Sequence, residues 1–113
     1  ERGEDLGVFV VVTYVVKPEK QAEFMPCMQR IYRYVKENPE KFEEWKSFKL
    51  LSHHLSFDII GQYMELWEFE NVADLEKCMT RLSKDKGWMK CMREIASLID
   101  PVTFSVNLWN TVE

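Results

Sequence analysis

The stretch "YMELWEFEN", Tyr63 to Asn71, decides how the chain folds. A half-buried strand alternates apolar and polar side chains. Here one parity carries Tyr63, Glu65, Trp67 and Phe69, and the other carries Met64, Leu66, Glu68 and Glu70. Both faces of the predicted strand therefore hold bulky apolar groups. One of them also sets a carboxylate between two aromatic rings. What covers each face, and what Glu65 does there, are the questions the rest of the sequence has to answer.

Upstream, "VFVVVTYVV" (Val8 to Val16) is a β-branched run that predicts a strand buried on both faces. Lys17-Pro18 ends it, and Pro18 suits the first turn of a helix reaching about Glu37. Phe24, Met28, Ile31 and Val35 form one apolar stripe on that helix. Pro26, inside it, removes a backbone hydrogen bond and predicts a kink. Asn38-Pro39 restarts the chain as an N-cap, and "PEKFEEW" reads as a short helix. Ser47 to His54 is a second strand, joined through "LSFDIIG" to the third, Gln62–Glu70, as a long-looped hairpin. Asn71, with Asp74 three residues on, caps a helix carrying Val72, Leu75, Met79 and Leu82. "SKDKG" interrupts it. A further helix, Trp88 to about Ile99, stops at Asp100-Pro101. Val102 to Val112 is the last strand, with Phe104, Val106 and Leu108 on its drier face.

At 113 residues, 46% hydrophobic and 30% charged, the chain suits one domain with a real core. Residues 1–6 read as a flexible tail and 7–113 as that domain. No apolar run approaches the roughly 20 residues of a membrane helix, and the charged start Glu1 to Gly7 lacks a signal-peptide pattern. A cytoplasmic location is expected. A net charge of −4 argues against nucleic acid as a partner. Lys84, Lys86, Lys90 and Arg93 read as a solvated helix face. The three cysteines, Cys27, Cys78 and Cys91, are odd in number and contain no CxxC. They predict neither a disulfide framework nor a structural zinc site, but soft packing in helices.

The order is β-α-β-β-α-β with helical insertions: the split βαβ, or ferredoxin-like, α+β order. A four-stranded antiparallel sheet with helices on one face follows. The first and third strands are central, and they carry large apolar groups on both parities. The helices cover one face only. The expected second cover is the same sheet of another subunit, giving a homodimer.

On "VVVTYVVKPEKQAEF" and "YMELWEFENVADLEKCM", the chain resembles the dimeric α/β-barrel superfamily of antibiotic-biosynthesis-monooxygenase-like and NIPSNAP-like domains, from about Val8 to Val112. The resemblance implies two sheets packed face to face in a dimer, with a pocket in each subunit between sheet and helices. The superfamily's members include cofactor-independent oxygenases of polycyclic phenols, haem-degrading enzymes, isomerases and many proteins of unknown activity. The haem-degrading members place an Asn on the first strand, a Trp on the third and a His on the second helix. Trp67 matches the Trp. The first strand offers Thr13 and Tyr14 instead of Asn, and Val72 to Leu82 has no His. Haem is therefore disfavoured, and no cofactor is expected.

Pairing residues of like parity across the hairpin places His53 on the same face as Tyr63, Glu65 and Trp67. Should that face meet the helices, Glu65 and His53 are the candidate catalytic pair. Trp67, Tyr63, Phe24 and Met28 are then the candidate walls of a site for a small aromatic ligand. A Glu between rings is desolvated and its pKa rises. A neighbouring His serves as a general base near neutral pH, suited to taking a proton from a phenol or enol. The alternatives are an ion pair of Glu65 with Lys49, Arg30 or Arg33, and a His53 that ends its strand in solvent. No metal site is expected, because His53 and His54 point to opposite faces of a strand. An enzyme requires an open cavity between sheet and helices. A non-catalytic binding or structural module is consistent with a filled core and a paired Glu65.

Overall fold

A computed structural model of the chain describes residues 7–53 and 61–112. The expected tail at 1–6, His54 and the hairpin loop through residue 60 lie outside the described residues. Four strands are present: β1 (Val8–Val15), β2 (Trp45–Ser52), β3 (Gln62–Phe69) and β4 (Ser105–Asn110). The helices are α1 (Gln21–Glu37), α2 (Val72–Leu82) and α3 (Lys86–Ala96). Short 3-10 turns occupy Pro18–Lys20, Pro39–Phe42 and Pro101–Thr103. The sheet order is β2-β3-β1-β4, all antiparallel, so β1 and β3 are central as their double-sided apolar pattern requires. The fold is the ferredoxin-like α+β arrangement.

The helices bury one face of the sheet. On it stand Val8, Val12 and Tyr14 of β1 with Glu65 and Phe69 of β3, all buried. Phe24, Cys27, Met28 and Ile31 meet them from α1, and Leu82, Trp88 and Ile95 from α2 and α3. Phe24 is fully buried, a contribution of about 2–3 kcal/mol. The other parity, Phe9, Val11, Met64 and Leu66, is only half-buried, and Leu51 and Trp109 are exposed.

Several boundaries differ from the sequence expectation, each for a local reason. Of the stretch "PEKFEEW", only Pro39–Phe42 is helical, as a short 3-10 helix, and Asn38 does not cap it. Its Nδ2 instead donates to the Tyr34 carbonyl at 2.8 Å. α1 runs unbroken through Pro26, which lies on its exposed side. α3 starts at Lys86 because Asp85 caps it, accepting from the Trp88 N–H at 2.8 Å. β4 starts at Ser105, not Val102. The Asp100 side chain holds Pro101–Thr103 in a turn, and the Thr103 hydroxyl takes the ladder position opposite Val15 N–H at 2.9 Å.

β2 begins at Trp45 and carries a bulge. Trp45 pairs with Phe69, but Ser47 pairs with Glu68, so Lys46 is an extra residue. Beyond it, Phe48 opposes Trp67, Leu50 opposes Glu65 and Ser52 opposes Tyr63. A one-residue shift moves every later side chain to the other face. The like-parity pairing expected for the hairpin holds at Trp45 and fails after it.

Candidate functional site

A cavity of about 460 Å³ lies between sheet and helices. β1, β3 and β4 supply its floor, with Val10, Val12, Tyr14, Glu65, Trp67 and Val106 among the lining residues. Met28 and Ile31 of α1, Met79 of α2 and Trp88 and Met92 of α3 close it from above. Aromatic rings wall one side: Trp67 lies 5.0 Å from Trp45 and 6.2 Å from both Phe48 and Trp88, between centroids. Tyr32, 40% exposed, contacts Phe48 edge-on at 5.7 Å and stands on the lining near the outside.

Among the described residues Glu65 is the one acidic side chain on this lining, which also carries Lys36. It is 8% exposed and sits opposite Val12, midway along β1. The Tyr14 hydroxyl donates to its Oε2, and the Trp67 indole Nε1–H donates to its Oε1 at 3.0 Å. Burial pushes its pKa up, and the two donated hydrogen bonds oppose the rise without cancelling it. Burial and the neighbouring carboxylate likewise push the Tyr14 phenol far up, so Tyr14 stays a neutral donor. Among the described residues Glu65 forms no ion pair, although Lys36 also stands on the cavity lining. Lys49 stands on the uncovered face opposite Leu66, Arg30 faces Glu94 at 3.6 Å, and Arg33 is exposed. The ion pair considered from sequence does not form.

The other expected residues divide. Trp67 and Met28 line the cavity. Phe24 and Tyr63 pack against each other at 4.2 Å off the cavity lining; Phe24 is fully buried, and Tyr63 is half-buried and borders a second hollow. His53 is a correction. The Lys46 bulge puts it on the uncovered side of the sheet, exposed, with Nδ1 2.9 Å from Gln62 Oε1. It lines a separate hollow of about 280 Å³ and does not meet Glu65. The residue that does is Tyr14. The uninterrupted apolar run of β1 gives no parity of its own, so only the β1–β3 register could have pointed to it.

The arrangement holds a carboxyl group with both oxygens oriented by neutral donors, in an apolar space roomy enough for a small ligand. Such a group can take a proton from a weakly acidic neutral molecule and return it. The haem set is not assembled, since β1 has no Asn and α2 no His. Among the described residues no group of three or more His, Cys, Asp or Glu is placed to hold a metal ion. No described helix is long and apolar enough to cross a membrane.

No protein-family model and no curated protein matches the sequence. Solved structures do match its fold. An antibiotic-biosynthesis-monooxygenase-like protein of Caulobacter crescentus CB15 superposes with a TM-score of 0.71 at 18% identity, over 99% of this chain and 95% of that one. A NIPSNAP family protein from Agrobacterium tumefaciens C58 gives 0.70 at 11% identity, over 95% and 87%. SnoaB of Streptomyces nogalater, a cofactor-independent oxygenase, gives 0.65 at 16% identity, over 96% and 95%. The chain therefore has the fold shared by antibiotic-biosynthesis-monooxygenase and NIPSNAP domains.

Proposed function

We propose that the chain is a cofactor-independent, monooxygenase-like enzyme that oxidises a small aromatic or polycyclic phenolic compound in this cavity. The observation that carries the reading is Glu65: a buried carboxyl, without an ion pair among the described residues, oriented by Tyr14 and Trp67 on the floor of an aromatic-walled space. The fold shared with a cofactor-independent oxygenase supports it. Glu65 takes the phenolic or enolic proton, and the electron-rich anion then reacts with dioxygen. Conversion of a ring methylene and one O₂ to a carbonyl and water balances without an added reductant. Trp67 and Met28 hold the apolar body of the substrate. A second copy covering the sheet face of Phe9, Val11, Met64 and Leu66 belongs to the same reading, and the free thiols suit a reducing, cytoplasmic setting.

The test is oxygen uptake during an aerobic screen of phenols and quinols, without cofactor, for the native chain and Glu65→Gln. Uptake that survives the substitution removes Glu65 from the chemistry. A second reading, a non-catalytic binding module, is favoured by one observation: both Glu65 oxygens already have donors. Saturable ligand binding without oxygen uptake across the screen supports that module instead.

A further inference from the structure

We propose that the aromatic cluster behind Glu65 is an electron path that carries an oxidising equivalent from the cavity to Tyr34. Trp67 lines the cavity, with Trp45 and Trp88 at centroid distances of 5.0 and 6.2 Å. Trp88 lies 5.3 Å from Phe42, and Phe42 lies 6.3 Å from Tyr34. Tyr34 also rests on the backbone beside Trp88. A Cβ added at Gly87 would come within 2.5 Å of the Tyr34 hydroxyl oxygen. Indoles and phenols are the side chains an oxygen radical most readily oxidises by one electron, and ring contacts at these distances pass an electron quickly.

Core packing explains rings in contact. It does not explain why each end of the chain carries a carboxyl group on its exchangeable proton. At the cavity end the Trp67 N–H meets Glu65 at 3.0 Å. At the far end the Tyr34 hydroxyl donates to Asp85 Oδ2. Lys41 Nζ, 2.6 Å from Asp85 Oδ1 and 3.0 Å from the Tyr34 oxygen, keeps Asp85 ionised and ready to accept. An oxidised phenol is a very strong acid, so even this weakly basic carboxylate takes its proton.

When the substrate anion gives one electron to dioxygen and the resulting superoxide escapes, the carbon radical left behind adds a second dioxygen. This peroxyl radical takes one electron from Trp67 and one proton from the Glu65 carboxyl, and becomes a hydroperoxide. The electron deficit passes through Trp45 and Trp88. Tyr34 fills it, breaking its O–H bond and giving the proton to Asp85. One proton has left Glu65, one has reached Asp85, and the unpaired electron sits on Tyr34, where a thiol in solution can reduce it. The path requires dioxygen chemistry in the cavity but no particular substrate, and its test creates the electron deficit independently of turnover.

Pulse radiolysis with azide radical, which oxidises tryptophan, is run on the chain carrying Trp109→Phe, since Trp109 is 61% exposed and off the path. The indolyl signal should decay with a first-order rate independent of protein concentration, while a tyrosyl signal rises in step. A nitroso spin trap should mark Tyr34 on peptide mapping. Adding Tyr34→Phe should reduce the tyrosyl yield to background and prolong the indolyl signal. Asp85→Asn should slow the transfer several-fold. An undiminished tyrosyl yield in Tyr34→Phe, or trapping at Tyr14, Tyr32 or Tyr63 instead, overturns the path. Should Tyr34→Phe fail to fold, the rate in Asp85→Asn decides, and an unchanged rate there overturns the path equally.

Discussion

Glu65 and Asp85 are both shielded carboxyl groups that accept a tyrosine hydroxyl, and their surroundings push them in opposite directions. Asp85 also accepts from Lys41 at 2.6 Å and from the Trp88 N–H at 2.8 Å. Those donors hold it down to about 2. Nearby, Arg81 grips Glu44 with both terminal nitrogens, at 2.8 and 2.6 Å, and holds that carboxyl below its usual range. Arg81 also donates to the Lys41 carbonyl at 3.0 Å. Together these contacts tie the Pro39–Phe42 turn and the start of β2 to α2 and α3. Glu65 has only Tyr14 and Trp67, both neutral, and burial pushes it up. Lys41 and Arg81 pin elements together, while the Glu65 carboxyl in the cavity has no ion-pair partner among the described residues. That is a costly arrangement for stability and a useful one for proton transfer.

The comparison can be broken in several places. The largest effect is expected at Glu65. Glu65→Gln should lower turnover by about 100-fold or more, with folding intact, because the amide oxygen can still accept a hydrogen bond. Steady-state oxygen uptake beside circular dichroism checks both halves. Next is the uncovered face. Leu66→Lys places a charge among half-buried apolar groups on β3 and should halve the molecular mass seen by light scattering at micromolar concentration. A native chain that is already a monomer removes the dimer from the reading.

Smaller effects belong to the clasp. The Glu44 side chain is only 7% exposed and Arg81 30%. Arg81→Ala should therefore cost about 2 kcal/mol in urea unfolding, between a surface pair and a fully buried one. The finest test is the sign of the pH dependence. Asp85, depressed in the fold, contributes stability that is present above its ordinary carboxylate value and is lost as pH falls towards about 2. Glu65, raised in the fold, contributes stability that is present below its ordinary value and is lost as pH rises through the raised one. Glu65→Gln should thus gain on the native chain from acid to neutral pH, and Asp85→Asn should lose on it. Urea midpoints near pH 3 and pH 7 read both slopes. Parallel slopes in the two variants would mean the two carboxyls are not opposed.

The sequence carried the sheet order clearly, because Val8–Val15 and Gln62–Phe69 are apolar on both parities and only central strands tolerate that. It also carried the Asn71 cap, whose side chain accepts the Asp74 N–H at 2.8 Å, and the burial of Glu65 beside Trp67. Tyr14 was hidden, since a run such as "VFVVVTYVV" does not say which way any one residue points. The clasp was hidden for a different reason. Arg81, Glu44, Lys41 and Asp85 come from segments separated by up to 44 positions, and charges at such spacing leave no periodic trace. The face of His53 is not legible from alternation alone, because Lys46 is an extra residue in β2.

Had β2 run on from Trp45 without its extra residue, Lys49 rather than Leu50 would stand opposite Glu65. An ammonium would then reach the cavity floor, and the acid would be neutralised before any ligand arrived. The bulge thus acts as a phase shift between two periodic patterns, the backbone's and the side chains'. The same composition in the same order, out of phase by one, would encode a salt-bridged core in place of a hollow floored by an acid without an ion pair. The electrical character of this cavity is written in the length of an edge strand as much as in the identity of the residues around it.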